Sequence, residues 1–155
     1  MDIVDRATRS MIMAGIKNKD TKGELLVRKA LHALGFRYQL HRRDLPGKPD
    51  LVFPRFRAVI FINGCFWHAH DCHLFKWPLS RAQFWREKIN SNKARDLNNY
   101  AQCTALGWKV LVIWECSLKG KTKRKFNEVI YTTQNWLLYD SQNAEIAGKL
   151  IFHAK

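Results

Sequence analysis

Ala58-Val59-Ile60-Phe61-Ile62-Asn63-Gly64-Cys65-Phe66-Trp67-His68-Ala69-His70-Asp71-Cys72-His73 decides how this 155-residue chain is read. Its first five residues form a short apolar run rich in β-branched side chains, which predicts a buried strand rather than a helix. The strand opens at Asn63 into a loop holding the thiols of Cys65 and Cys72 and the imidazoles of His68, His70 and His73. The Asp71 carboxylate and the adjacent rings of Phe66 and Trp67 lie in the same loop. A strand end crowded with such side chains is a place for chemistry, and the remainder of the chain reads as its support.

Working outward, Asp50-Leu51-Val52-Phe53 is a second short strand just upstream, joined through Pro54-Arg55-Phe56, so the two predict an antiparallel hairpin. Residues 41–49 are polar and broken by Pro and Gly, as a loop is. Before them Phe36, Tyr38 and Leu40 alternate with Arg37 and Gln39, which predicts a half-buried strand. Thr21-Lys22-Gly23-Glu24 fits a capping box, with Leu25, Leu26, Ala30, Leu31 and Leu34 at helical spacing behind it and Gly35 as a stop. Downstream, Ser80-Arg81-Ala82-Gln83 is a second capping box opening a long helix to Leu106. Phe84, Trp85, Ile89, Leu97 and Leu106 supply its apolar stripe, and Cys103 serves core packing. Trp108-Lys109-Val110-Leu111-Val112-Ile113-Trp114 is the clearest central strand. Residues 127–139 predict an amphipathic helix carrying Val129, Ile130, Trp136 and Leu137, and residues 141–155 a loosely ordered tail. The order α-β-β-β-α-β-α predicts a single α/β domain over residues 1–155, a central mixed sheet flanked by helices.

The charge balance narrows the partner. Against 13 Asp+Glu stand 27 Lys+Arg, a formal net charge of +14, which favours a polyanion, nucleic acid before membrane. Residues 1–20 predict an arm or helix whose Arg6, Arg9 and Lys17 can clamp a phosphate backbone. No apolar run approaches the length needed to span a bilayer. The start Met1-Asp2-Ile3-Val4-Asp5-Arg6 has no apolar leader core, so a cytoplasmic protein with reduced thiols is expected. In that compartment four cysteines point to metal binding rather than disulfides.

Cys65-x4-His70-x-Cys72, together with Cys116 after the strong strand, offers a thiolate–imidazole set of the kind zinc takes in structural sites. His68 and His73 are alternatives to His70, which is preferred because it leaves His68 free. A second centre begins at Pro49-Asp50, which resembles the opening of a PD-(D/E)xK nuclease core. A strand-end carboxylate there can hold Mg²⁺ with waters and a substrate phosphate oxygen. Where that motif continues with Asp/Glu-x-Lys, this chain reads Phe61-Ile62-Asn63. The main-chain carbonyl of Ile62 can then serve as the second Mg²⁺ ligand, and His68 can activate water or protonate a leaving oxygen. Glu24 can join as a water-holding acid, although capping explains it equally well.

Leu45-Pro46-Gly47-Lys48-Pro49-Asp50, Asn63-Gly64-Cys65-Phe66-Trp67-His68, Phe84-Trp85 and Trp114-Glu115-Cys116, with Arg6-Ala7-Thr8-Arg9-Ser10 ahead of them, resemble the very-short-patch repair DNA mismatch endonucleases. The resemblance covers about residues 5–119. It implies a restriction-endonuclease-like domain with a structural zinc and a catalytic Mg²⁺. The implied activity is nicking of one DNA strand 5′ of the thymine in T:G mismatches left by deamination of 5-methylcytosine. It further implies Asp50 and the Ile62 carbonyl at Mg²⁺, His68 as acid/base, Glu24 as helper, and Cys65, His70, Cys72 and Cys116 at zinc. Phe66, Trp67 and Trp85 become a wedge inserted beside the mismatch, where unstacking costs least. Best-known members carry His where this chain has Asn63, so any catalytic part of that side chain falls to Asn63. Expected partners are duplex DNA with a T:G mismatch, mismatch-repair proteins and a repair polymerase, acting with a monomer and no membrane. The rivals are another nuclease of the same fold and a non-catalytic zinc-dependent DNA-binding module.

Overall fold

The computed structural model describes residues 21–149. The arm carrying Arg6, Arg9 and Lys17 and the last part of the tail lie outside the described residues. The elements are α1 (Lys22–Ala33), β1 (Gln39–Leu40), β2 (Leu51–Phe53), β3 (Ala58–Asn63), α2 (Ala82–Ala105), β4 (Lys109–Trp114), α3 (Phe126–Tyr139) and β5 (Ala144–Ile146). They form one mixed five-stranded sheet in the order β1-β2-β3-β4-β5. The pairs β1–β2 and β2–β3 are antiparallel, as the predicted hairpin requires, and β3–β4 and β4–β5 are parallel.

Period-two alternation divides the core between the two faces of the sheet. Leu51, Phe53, Ala58, Ile60, Leu111 and Ile113 pack with Val27 and Leu31 of α1 and Val129, Ile130, Trp136 and Leu137 of α3. Val52, Val59, Phe61, Val110, Val112 and Trp114 face the other way, toward Cys103 of α2 and the thiols of Cys65 and Cys116. A strand covered on both faces reads as a continuous apolar run, which is why β3 and β4 stood out.

Local expectations met five corrections. Thr21 caps α1, its Oγ1 accepting from Glu24 N at 3.2 Å, but the buried stripe is Glu24, Val27 and Leu31, with Leu26 and Leu34 exposed. The strand predicted from Phe36 shrinks to Gln39–Leu40, because the Phe36 N–H is taken by Leu31 O at the end of α1. The long helix begins without a side-chain cap: Arg81 is left-handed at φ 54°, and its guanidinium lies over the Phe84 ring at 4.4 Å, bracing the first turn. Of that helix's expected stripe only Ile89 is buried, joined by Cys103, while Phe84, Leu97 and Leu106 are exposed.

The expected loose tail is the fifth. Lys109 Nζ donates to the carbonyls of Trp136, Leu137 and Asp140, closing the end of α3. Val110 N–H then donates to Asn143 Oδ1 at 2.9 Å, and the chain continues as β5 beside β4. The central strand thus organises the segment that follows α3.

Ile113 is fully buried at the centre of the α1/α3 face. Ile113→Ala is expected to cost about 2–5 kcal/mol through lost burial and the cavity left behind, measured as a lowered urea midpoint at unchanged slope.

Candidate active site and metal cluster

In the parallel register Asn63 lies opposite Trp114, the last residues of β3 and β4. Cys65 and Cys116 each follow two residues later, so the pairing delivers both thiols to the same end of the sheet. The loop then turns back, with His70 N–H donating to Cys65 O at 3.0 Å and Cys72 N–H to His70 O at 2.9 Å. His70 Nδ1 stands 3.5 Å from both the Cys65 and the Cys116 sulfur. Ligand atoms of Cys65, His70, Cys72 and Cys116 all lie within 4.8 Å of one another, a set that could hold a metal ion.

The surroundings support that cluster. The Trp114 indole stacks on the His70 ring at 4.1 Å and 8°, and its Nε1 donates to Glu145 Oε2 at 3.2 Å. Cys65 N–H donates to Glu115 Oε1 at 3.2 Å. Gly148 N–H donates to Cys116 Sγ at 3.2 Å, an approach only glycine allows, because a Cβ there would collide with Thr122 and the Cys116 carbonyl. Burial, with the neighbouring thiols, pushes the Cys65 thiol far up, and burial raises Cys116 as well. Burial lowers His70, favouring the neutral imidazole that a metal binds. Grouped buried thiols that resist ionisation alone fit a site whose cation supplies the missing positive charge. His73, the other imidazole of the loop, instead approaches Thr122 Oγ1 at 3.3 Å. Cys103, as expected, packs in the core beside α2, its sulfur 3.4 Å from Pro46 O.

The acidic centre lies at the same strand end. Asp50 Oδ2 accepts from Ile62 N–H at 2.7 Å, which ties the carboxylate to β3. His41 Nδ1 is 3.7 Å from Asp50 Oδ1, and His41 Nε2 is 3.1 Å from Glu24 Oε2. Arg28 donates to the same Glu24 oxygen at 2.9 Å. Glu24, 1% exposed, therefore turns its carboxylate toward Arg28 and His41. Glu24, His41 and Asp50 form a second group whose ligand atoms lie within 4.8 Å. His41 was not singled out in the sequence, because its loop reads as polar and broken by Pro and Gly. Its imidazole between Glu24 and Asp50 is the feature that marks it.

His68 pairs through Nδ1 with Asp96 Oδ2 of α2, a partner that sequence reading missed. Asn63, 6% exposed, donates through Nδ2 to Tyr100 Oη at 2.7 Å. Burial holds the Tyr100 hydroxyl above its ordinary pKa, the Asp96 charge adds to this and the Asp50 charge adds less, while the Asn63 bond opposes them. Tyr100 thus feels the field of the carboxylates at both His68 and the acidic centre. Phe66, Trp67 and Trp85 form one half-exposed aromatic group, with ring centroids 5.2 to 5.8 Å apart. Asn92 Nδ2 donates to Trp67 O at 3.1 Å, fastening that loop to α2. No helix among the described residues is long and apolar enough to cross a membrane.

Known proteins carry the same arrangement of sequence. The family model described as DNA mismatch endonuclease Vsr matches residues 1–74. The DNA mismatch endonuclease Vsr of Escherichia coli (strain K12) is 39% identical over 145 residues, 94% of this chain and 93% of that protein. The chain belongs to the Vsr DNA mismatch endonuclease family. The type II nicking enzyme V.XorIIP of Xanthomonas oryzae pv. oryzae is 47% identical over 110 residues, 71% of this chain and 81% of that protein. The type II nicking enzyme V.NmeAIP of Neisseria meningitidis is 42% identical over 131 residues, 83% of this chain and 94% of that protein.

The Tyr100 environment has a pH signature. A phenol raised above its ordinary value keeps its proton while the unfolded chain loses it, so stability falls as pH climbs beyond about 10. In an alkaline titration followed by phenolate absorbance, Tyr100→Phe is expected to remove a late step and leave the earlier ones.

Proposed function

We propose that this Vsr-family chain is a cytoplasmic, monomeric endonuclease that nicks one strand of duplex DNA 5′ of the thymine in a T:G mismatch. The nick would open repair by a polymerase, alongside mismatch-repair proteins. The observation that carries this reading is the Asp50 carboxylate held at the end of β3 beside Glu24, in a chain aligned over 94% of its length with a DNA mismatch endonuclease. We read the domain as restriction-endonuclease-like, its sheet ending in the acidic centre where that fold places one.

The donors suit Mg²⁺, which takes hard oxygens, few protein carboxylates and several waters. Asp50 and the main-chain carbonyl of Ile62 would hold it, with Glu24 orienting water at its side. Bound there, Mg²⁺ supplies charge stabilisation at the scissile phosphate and eases ionisation of water. His68 moves the proton. Its Nδ1 is engaged by Asp96, which fixes the ring and leaves Nε2 to accept a proton from water or give one to the leaving oxygen. Asn63, in the place of a second histidine, supports Tyr100 instead of transferring a proton. The three sulfurs and one nitrogen of Cys65, His70, Cys72 and Cys116 are the donor set that a structural zinc takes in tetrahedral sites, and zinc there would pin the loop that carries Phe66, Trp67 and His68.

Phe66, Trp67 and Trp85 would enter the duplex beside the mismatch. Stacking returns roughly 1–3 kcal/mol per base, against an unstacking cost that is smallest where pairing is already defective. Arg6, Arg9 and Lys17, outside the described residues, would grip phosphates and contribute affinity without sequence information.

The deciding test is incubation with labelled matched, T:G and branched duplexes, with Mg²⁺ and with EDTA, mapping any nick to the nucleotide. A Mg²⁺-dependent cut 5′ of the mismatched thymine is expected. Equal cutting of matched DNA would favour another nuclease of this fold, and binding with no cut would favour a DNA-binding module. Asp50→Ala is expected to lower nicking about a thousandfold or more, the several kcal/mol that a metal contributes, at unchanged zinc content. Cys116→Ser is expected to lose zinc and lower the thermal midpoint, whereas Cys103→Ala keeps one equivalent of zinc by elemental analysis.

A further inference from the structure

We infer that His41 is a direct ligand of the divalent ion at Asp50 and Glu24, so that this centre takes a transition ion of the Mn²⁺ type more tightly than Mg²⁺. The inference rests on Asp50 being the ion site, as proposed above, and adds to that site a nitrogen donor and a metal preference. The argument begins with spacing. His41 Nδ1 and Asp50 Oδ1 stand 3.7 Å apart, too far for a hydrogen bond. Donors about 2.1 Å from one octahedral ion are roughly 3 Å apart at neighbouring corners and roughly 4.2 Å at opposite ones. The observed separation falls between these, and Glu24 completes a trio of ligand atoms within 4.8 Å.

The imidazole lies between the two carboxylates, with Nε2 3.1 Å from Glu24 Oε2 and Nδ1 facing Asp50 Oδ1, so Nδ1 is the nitrogen that would meet the ion, and two further observations hold it there. Asp50 spends Oδ2 on the Ile62 N–H, so Oδ1 is the oxygen nearest the imidazole. His41 is held in place from behind: its N–H donates to Asp50 O at 3.2 Å, and its backbone is left-handed, a conformation a non-glycine residue keeps only where its surroundings hold it. Imidazole favours first-row transition ions, whereas Mg²⁺ prefers oxygen and gives up its waters reluctantly.

The test uses the full chain with its cysteine cluster zinc-loaded, and Mn²⁺ as the probe. Pulsed electron paramagnetic resonance of bound Mn²⁺ should show nitrogen modulation from a directly bound imidazole, absent in His41→Ala and in His41→Gln. Glutamine keeps the bulk and offers an oxygen in place of the nitrogen. Calorimetry should show Mn²⁺ bound at least about tenfold more tightly than Mg²⁺, with that preference reduced to about threefold or less in both variants. Zinc content and thermal midpoint verify that the variants fold. Mn²⁺ that is lost in Asp50→Ala but shows no His41-dependent nitrogen signal overturns the inference and leaves the Asp50 site standing. Mn²⁺ binding that survives Asp50→Ala overturns both.

Discussion

The parallel pairing of β3 with β4 is the constraint on which the rest depends. Every residue from Ala58 to Asn63 is matched in step with one from Lys109 to Trp114, and both faces of the pair are covered by helices. A slip of one residue would turn every side chain to the opposite face, exchanging Ile60 and Ile113 with Val59 and Val112 and separating Cys65 from Cys116. The apolar packing of the sheet interior thus sets the position of polar groups beyond its end. Asn63 and Trp114, paired at the last rung, become the base of the site. One holds Tyr100 and the other stacks on His70.

That dependence explains what could be read in the chain and what could not. β3 and β4 were legible because burial on two faces writes an uninterrupted apolar run, and the hairpin because its strands are separated by four residues. Cys65, His70 and Cys72 were legible from local crowding, and Cys116 from its place after a strong strand. Asp96 and Tyr100 were not, since they sit on α2 among exposed polar residues and gain meaning only when the helix lies beside His68 and Asn63. His41 was hidden for the same reason, in a loop that reads only as polar and broken by Pro and Gly. Stripes chosen by hydrophobicity alone misjudged α1 and α2. In α1 the third buried position is Glu24, a carboxylate at helical spacing with Val27 and Leu31.

Glu24 also shows how the acidic centre coexists with a stable fold. A carboxylate 1% exposed is costly to bury without partners. Arg28, one helical turn on, and His41, across the strand end, meet its charge with nitrogen donors at 2.9 and 3.1 Å. Thr21 caps the helix through the Glu24 backbone N–H, while the Glu24 carboxylate meets Arg28 and His41. A residue that sequence patterns assign to local helix structure thus also lies beside Asp50 and His41.

The two ligand groups differ in ways that bear on their tasks. Cys65 and Cys116 are buried, and four donors of sulfur and nitrogen enclose the first group, which leaves no position for an outside ligand in tetrahedral geometry. The second group is assembled from carboxylates and one imidazole, and its His41 and Asp50 side chains keep 22% and 13% exposure. A closed soft set suits an ion that holds structure, whereas an open set with oxygen donors suits one that must share its coordination with water and phosphate. Cys65 follows β3 and Asp50 is tied to the same strand through the Ile62 N–H, so the placement of both groups depends on β3. His68 lies in the span between Cys65 and His70, so whatever fixes that loop also fixes the imidazole against Asp96.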